Sequence, residues 1–257
     1  MLDTTIKAYA TRQLGCLVLA GGLALGLFVS GSLDAKTSGV GSSSADRAAG
    51  PLAIGPRPPI AGPARVVDGD TIVVADVRIR LEGIDAPESS QTCMSAEGEP
   101  WPCGNHATRE LIRIIVGHTV TCEDRGQDKY GRTLGVCYAD GRDINADMVR
   151  RGFAWAFVRY SSSYVAQEAA AKAEKAGIWA GQSQPAWDYR ARRWQTAEPE
   201  APSGCAIKGN VTTNGRIYHL PWSPWYDKVK MDGERGKRWF CTEAEALAAG
   251  WRPAQTY

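Results

Sequence analysis

Residues 14–33 run without a charged side chain, mostly in Leu, Val, Ala and Gly, behind a polar flank that holds Lys7 and Arg12. As a helix this run rises ~30 Å, enough to cross a hydrocarbon core. Two readings of residues 1–33 stay open. One is a transmembrane signal anchor whose basic flank keeps the N-terminus cytoplasmic; the other is a signal peptide, although the small-x-small pattern before Asp34 is poor. Either reading exports the remainder of the chain. Cys16 reads as a small apolar helix residue, because Arg12 and Gln13 stand where an apolar stretch should precede a lipidation site. From 34 to 63, Gly, Ser, Ala and Pro dominate and large apolar side chains almost vanish, as in a tether that stiffens toward 56–63.

Beyond residue 64 the period changes. Residues 65–74 and 77–84 alternate or run apolar between turn residues, as strands of a small sheet do. Residues 105–116 set Ala107, Leu111, Ile112 and Ile115 at helical spacing and stop at Gly117, a suitable C′ residue. Residues 118–123 and 133–138 read as strands joined by a polar loop, and 143–151 as a short helix closed by Gly152. Next come an aromatic strand at 153–160 and a strong helix at 162–176, stopped by Gly177. Trp179, Trp187 and Trp194 mark an arm that packs back on this body. Residues 64–195 therefore predict a mainly β, α+β domain, a small closed five-stranded barrel of the OB type with about three helices. A Glu/Pro linker at 196–203 leads to a compact α+β module, 204–257, in which Thr242 and Glu245 predict a capped last helix.

At 257 residues the chain can bury a sizeable core, and its net charge of +2 identifies no partner. Residues 64–195 carry seventeen Lys/Arg against eighteen Asp/Glu, so any nucleic-acid contact must come from local charge placement. The three histidines, His106, His118 and His219, have no spacing that pairs them on one helix face, which argues against histidine-metal and paired-histidine nuclease chemistry. No C-x-x-C occurs, which argues against zinc knuckles and thioredoxin-type sites. Apart from Cys16 the cysteines fall as three successive pairs, Cys93 with Cys103, Cys122 with Cys137, and Cys205 with Cys241. Disulfides suit an exported chain.

The candidate chemistry lies in residues 66–88, V-V-D-G-D-T-I-V-V-A-D-V-R-I-R-L-E-G-I-D-A-P-E. In an extended strand residues two apart share a face, so Asp68 and Asp70 converge, with Gly69 leaving room for a ligand. Arg78 and Arg80 share a face opposite Val77, Ile79 and Leu81. Pro87 disfavours a helical Ala86 and forces a turn that brings Asp85 and Glu88 to one side. Ca²⁺ takes carboxylate, carbonyl and water oxygens at ~2.3–2.6 Å, so Asp70, Asp85 and the Ala86 carbonyl form an open site. A lone D-G-D would be read as a solvated hairpin turn. Here D-G-D-T, R-I-R and D-A-P-E arrive together.

With D-K-Y-G-R at 128–132, these motifs resemble the staphylococcal nuclease family of thermonucleases, over roughly residues 64–180. The resemblance implies that Asp70 and Asp85 bind calcium with the Ala86 carbonyl, which here replaces a threonine. It implies that Glu88 is the general base or orients water, and that Arg80 and Arg132 grip the scissile phosphate. Lys129 and Tyr130 fall at substrate-contacting positions, and Phe157 stands where the family often has a tyrosine. The implied protein is a monomeric, Ca²⁺-dependent endonuclease acting on DNA and RNA with little sequence preference and leaving 3′-phosphates. With its leader it would face the periplasm from a bacterial inner membrane, or be secreted.

Three questions stay open. Arg190, Arg192 and Arg193 with Trp187, Tyr189 and Trp194 form either a nucleic-acid surface or a structural arm. Tyr218, Trp222, Trp225, Tyr226 and Trp239 either bind a polymer or supply the core of a small unit. The competing functions are a non-catalytic nucleic-acid-binding barrel, against which the retained Asp70, Asp85, Glu88, Arg80 and Arg132 speak, and an envelope or polysaccharide protein whose module does the work.

Overall fold

A computed structural model describes residues 57–128, 130–232 and 236–254. The leader 1–33, most of the tether, and Lys129 lie outside the described residues. Among the described residues no helix is long and apolar enough to cross a membrane.

In chain order the strands of the first region are β1 (Ile60–Gly62), β2 (Ala64–Asp68), β3 (Thr71–Val74), β4 (Val77–Leu81), β5 (Ile84–Asp85), β6 (Cys93–Met94) and β7 (Pro100–Trp101). Helix α1 (Cys103–Ile115) is followed by β8 (Val120–Gln127), β9 (Thr133–Ala139), β10 (Arg142–Asp143), α2 (Ile144–Arg150), β11 (Trp155–Ala156), α3 (Val165–Ala173) and α4 (Ala186–Ala197). The last part holds β12 (Ile207–Thr212), β13 (Gly215–His219), β14 (Lys237–Phe240), α5 (Glu243–Ala248) and β15 (Arg252–Pro253).

The main sheet has the order β1-β8-β9-β4-β3-β2, with β10 added on β9. Its two edges, β1 and β2, are separated in the chain by Pro63 alone, so one continuous segment supplies both edges of a strongly curled sheet. The count of seven strands corrects the expected five. The single strand expected at 65–74 is a hairpin, because Gly69 and Asp70 turn the chain between β2 and β3. The expected tether ends early: Ile60–Gly62 pairs with Val120–Cys122, where Ile60 covers the core from an edge that tolerates Pro63. Of the expected aromatic strand 153–160 only Trp155–Ala156 pairs, against β5.

Ile72, Val74, Ile79, Leu81 and Ile84 meet Leu111, Ile114 and Ile115 of α1 and Ile144, Met148 and Val149 of α2 in one buried core. Alternation decides this on β4, where Ile79 and Leu81 are buried and Arg78 and Arg80 take the other face. All three cysteine pairs form disulfides. Cys122 and Cys137 are direct cross-strand partners on β8 and β9. The hairpin that carries the 128–132 loop is thereby fixed at its base.

Where about three helices are expected in the first region, the described residues hold four, α1 to α4, and the capped last helix expected in the module is α5. The Trp-rich arm is the helix α4, which consumes the first residues of the expected linker at 196–203, and α5 ends the module. Trp155 meets Trp179 and Trp187 edge to face at 6.4 and 6.1 Å, which holds the arm against the first region. The C-terminal sheet runs β14-β12-β13-β15 over Ile207, Tyr218, Phe240, Ala246 and Trp251. Thr242 caps α5 by accepting from the Glu245 amide at 3.1 Å. Most of the module's aromatics therefore serve its core, as an ~50-residue unit requires, while Trp225 stays exposed.

Candidate active site

The hairpin turn between β2 and β3 is an Asx-type turn: the Asp68 Oδ1 accepts from the Asp70 amide at 3.2 Å. Asp68 and Asp70 thus meet through a turn, and the shared strand face expected for them is absent. Gly69 is required there, since a Cβ on it would press on the Cβ atoms of Ala86 and Ala107. A second glycine works at the other end of the site. A Cβ on Gly104, in the first turn of α1, would overlap the Glu88 carbonyl, so glycine lets the loop carrying Glu88 lie on the helix.

Arg80 crosses from β4 to bond Asp70 and donates to Asp85 at 2.8 Å. Asp70 also accepts from the Ala86 amide at 3.0 Å, which ties the turn to the D-A-P-E segment. Asp85 is fully buried and Asp70 is 4% exposed. Glu88 lies on the same side as Asp85, as Pro87 dictates, because both accept from one guanidinium nitrogen, Arg190 Nη1, at 2.7 and 3.0 Å. Arg190 Nη2 donates to the second oxygen of Asp85 at 2.8 Å. Two guanidiniums thus occupy both oxygens of Asp85, and one of them also takes one oxygen of Asp70.

Burial pulls the Asp70 carboxyl upward, but Arg80, the Ala86 amide and Arg190 outweigh it and hold the group below its ordinary range. Burial, helped by the Asp70 charge, pushes Asp68 up to about 6. Burial pushes Glu88 up to about 7 against the pull of Arg190. A carboxyl poised near neutrality is suited to taking a proton from water.

Arg132 comes from the 128–132 loop. Asp128 accepts from the Tyr130 and Arg132 amides at 2.9 and 3.0 Å and from Arg132 Nε at 2.7 Å, while the guanidinium lies over the Tyr130 ring at 5.3 Å. Arg132, Tyr130, Phe157, Arg80, Ala86 and Glu88 all line one cleft of about 1100 Å³. Asp85 lies beneath its floor. The Phe157 ring stacks on Trp187 at 5.5 Å and meets the tilted Tyr160 ring at 4.9 Å.

The donor set fits a hard cation: two buried carboxylates already converge on a shared positive charge, that of Arg80. Among the described residues no group of three or more His, Cys, Asp or Glu is arranged as a metal cage. Two carboxylates and one carbonyl supply fewer oxygens than Ca²⁺ takes, so a cation held by Asp70, Asp85 and a carbonyl would keep positions for water and substrate.

Arg190 is the site residue that the sequence motifs do not mark. Its signal lies in helix period: Ala186, Tyr189, Arg190, Arg193 and Ala197 follow i, i+3, i+4, i+7 and i+11 spacing, the inward face of α4, while Arg192 points to solvent. Within W-D-Y-R-A-R-R nothing else separates the three arginines.

The described chain is thus a curled, mainly β domain with acids and guanidiniums gathered at one cleft. The family model described as Staphylococcal nuclease homologue matches residues 78–181, and a second, described as ArfC, matches 193–253. The chain is 37% identical over 138 residues to a Succinoglycan biosynthesis protein ExoI of Rhizobium meliloti (strain 1021), covering 52% of this chain and 72% of that one. It is 39% identical over 137 residues to an Uncharacterized endonuclease of Escherichia coli, covering 50% and 83%. To a Micrococcal nuclease of Shigella flexneri it is 35% identical over 144 residues, covering 49% and 77%. The chain belongs to the staphylococcal nuclease homologue family, whose domain is an OB-fold.

Proposed function

We propose that the chain is a Ca²⁺-dependent endonuclease that hydrolyses phosphodiester bonds in DNA and RNA with little sequence preference, leaving 3′-phosphates. The observation that carries this reading is the hydrogen-bonded set in which Arg80 joins Asp70 to Asp85 and Arg190 joins Asp85 to Glu88, at a cleft that Arg132 enters from another loop. The endonuclease and micrococcal nuclease relatives support it. Bound by Asp70, Asp85 and the Ala86 carbonyl, Ca²⁺ would supply positive charge to the phosphate and the attacking water. Glu88 takes a proton from that water or orients it. Arg80 and Arg132, permanently charged and fork-shaped, stabilise charge developing on the non-bridging oxygens. Tyr130, Phe157 and Lys129 hold the strand.

The three disulfides support an oxidising compartment, and with the leader they support an exported, membrane-tethered or secreted protein. A second reading, nucleic-acid binding without cleavage, draws on one observation, the two guanidiniums that fill the oxygens of Asp85. A nuclease assay with and without EGTA separates the two. Cleavage that is lost on chelation supports the enzyme; binding without cleavage in excess Ca²⁺ would leave only the second reading.

A further inference from the structure

The two parts of the cleft lining differ in charge. Among the described residues its cations, Arg78, Arg80, Arg132 and Arg190, all come from the nuclease region and α4, among acids and apolar groups, whereas the C-terminal unit lines it with no cation and mostly with apolar groups, chiefly Leu220, Trp222 and Pro224. The one carboxylate on that wall among the described residues, Glu243, already accepts from the Tyr218 hydroxyl at 2.9 Å. A nucleotide has the same polarity, a charged phosphodiester on one side and a flat apolar base on the other.

The 220–224 turn is held in place from three directions. Its own Ser223 amide donates to the Leu220 carbonyl at 2.8 Å. The Trp222 carbonyl accepts from Ser90 Oγ at 2.6 Å, two residues beyond Glu88, and the Pro221 carbonyl accepts from Arg193 Nε of α4 at 2.9 Å. The Trp222 ring is half-buried and leans on Trp194 at 6.4 Å. The wall is thus tied both to the loop of the catalytic base and to the helix that carries Arg190.

We propose that the C-terminal unit is a base-binding wall of the active site, with Trp222 stacking on an unpaired nucleobase. This rests on the nuclease reading for its phosphate position and adds a role for the C-terminal unit. In a duplex the faces of a base are covered by its stacked neighbours and its edge by its partner, so a paired base has no free face for Trp222. An aromatic platform beside a cationic groove is how unpaired strands are held without sequence preference.

The test uses the full chain. Fluorescence anisotropy in EGTA compares a labelled oligothymidine with a hairpin duplex of equal length for wild type, Trp222→Ala and Trp222→Phe. Initial rates in Ca²⁺ are measured on the same oligonucleotides and on a strand of abasic tetrahydrofuran units, a phosphodiester without a base or any other aromatic ring. Trp222→Ala should weaken single-strand binding at least about fivefold, the equivalent of about 1 kcal/mol, and raise KM while kcat stays within about twofold. Trp222→Phe should restore binding, and hydrolysis of the base-free diester should not change. Unaltered single-strand binding in Trp222→Ala overturns the proposal. So does an equal loss on the duplex or on the base-free diester, which marks a merely structural role. If wild type binds through Trp222 yet cleaves nothing, the wall stands and the nuclease reading falls.

Discussion

Under the proposed Ca²⁺ assignment Arg190 competes with the cation for Asp85, with one nitrogen on each of its oxygens and a further bond to Glu88. Cation entry at Asp85 is therefore an exchange of one positive charge for another, and the energy of the lost ion pair is subtracted from the metal's affinity. Arg190→Ala should bind Ca²⁺ at least about threefold more tightly by calorimetry; equal or weaker binding would show that Arg190 and the metal do not compete. The neighbouring Glu88 carboxyl rises from its ordinary 4.5 to about 7 in the metal-free fold. Between those values the folded chain keeps a proton that the unfolded chain has released, so stability is highest below the window and falls as pH rises through it. Asp68, raised from 3.8 to about 6, acts with the same sign. Denaturant midpoints of metal-free protein should fall as pH goes from about 4.5 to about 7, and Glu88→Gln should flatten the curve; a midpoint rising across that range contradicts the assigned burial. At this scale the motifs made most of the cluster legible, because Asp70, Arg80, Asp85 and Glu88 sit within one short stretch. Arg190 was not legible, since its role depends on where a helix roughly a hundred residues later comes to rest.

At the scale of elements, alternation on β4 was sufficient to send Ile79 and Leu81 inward and both arginines to the cleft. What pattern alone could not supply was the turn at Gly69, because a run of β-branched residues on both sides hides a hairpin whose only mark is D-G-D. Short pairings such as β1 on β8 and β5 on β11 escaped for a different reason. They depend on tertiary neighbours and carry no period of their own. The approach of α1 to the Glu88 loop is likewise a matter of contact, made through Gly104. Gly104→Ala should cost on the order of 2 kcal/mol in denaturant unfolding, as overpacking against backbone does, and should slow any hydrolysis by moving Glu88. A variant as stable and as active as wild type would show that the loop does not need the helix.

At the scale of the whole molecule, α4 joins two cores. Its start packs Ala186 and Trp187 with Trp155, and its end packs Trp194 and Ala197 with the C-terminal unit. Between them Arg190 reaches the acids and Arg193 reaches Pro221 and Asp227. The module's strands and its capped helix could be read from residue order, whereas its place as the far wall of the cleft arises only from how α4 is seated. The central claim, that this cluster of acids and guanidiniums hydrolyses phosphodiesters, is tested most directly at Glu88. Hydrolysis of a single-stranded oligonucleotide in Ca²⁺ by wild type and by Glu88→Ala, with thermal melts in parallel, is the measurement. A rate reduced at least about a hundredfold, as loss of a general base predicts, with cooperative melting retained, is the expected result; a folded variant that cleaves at close to the wild-type rate would contradict it.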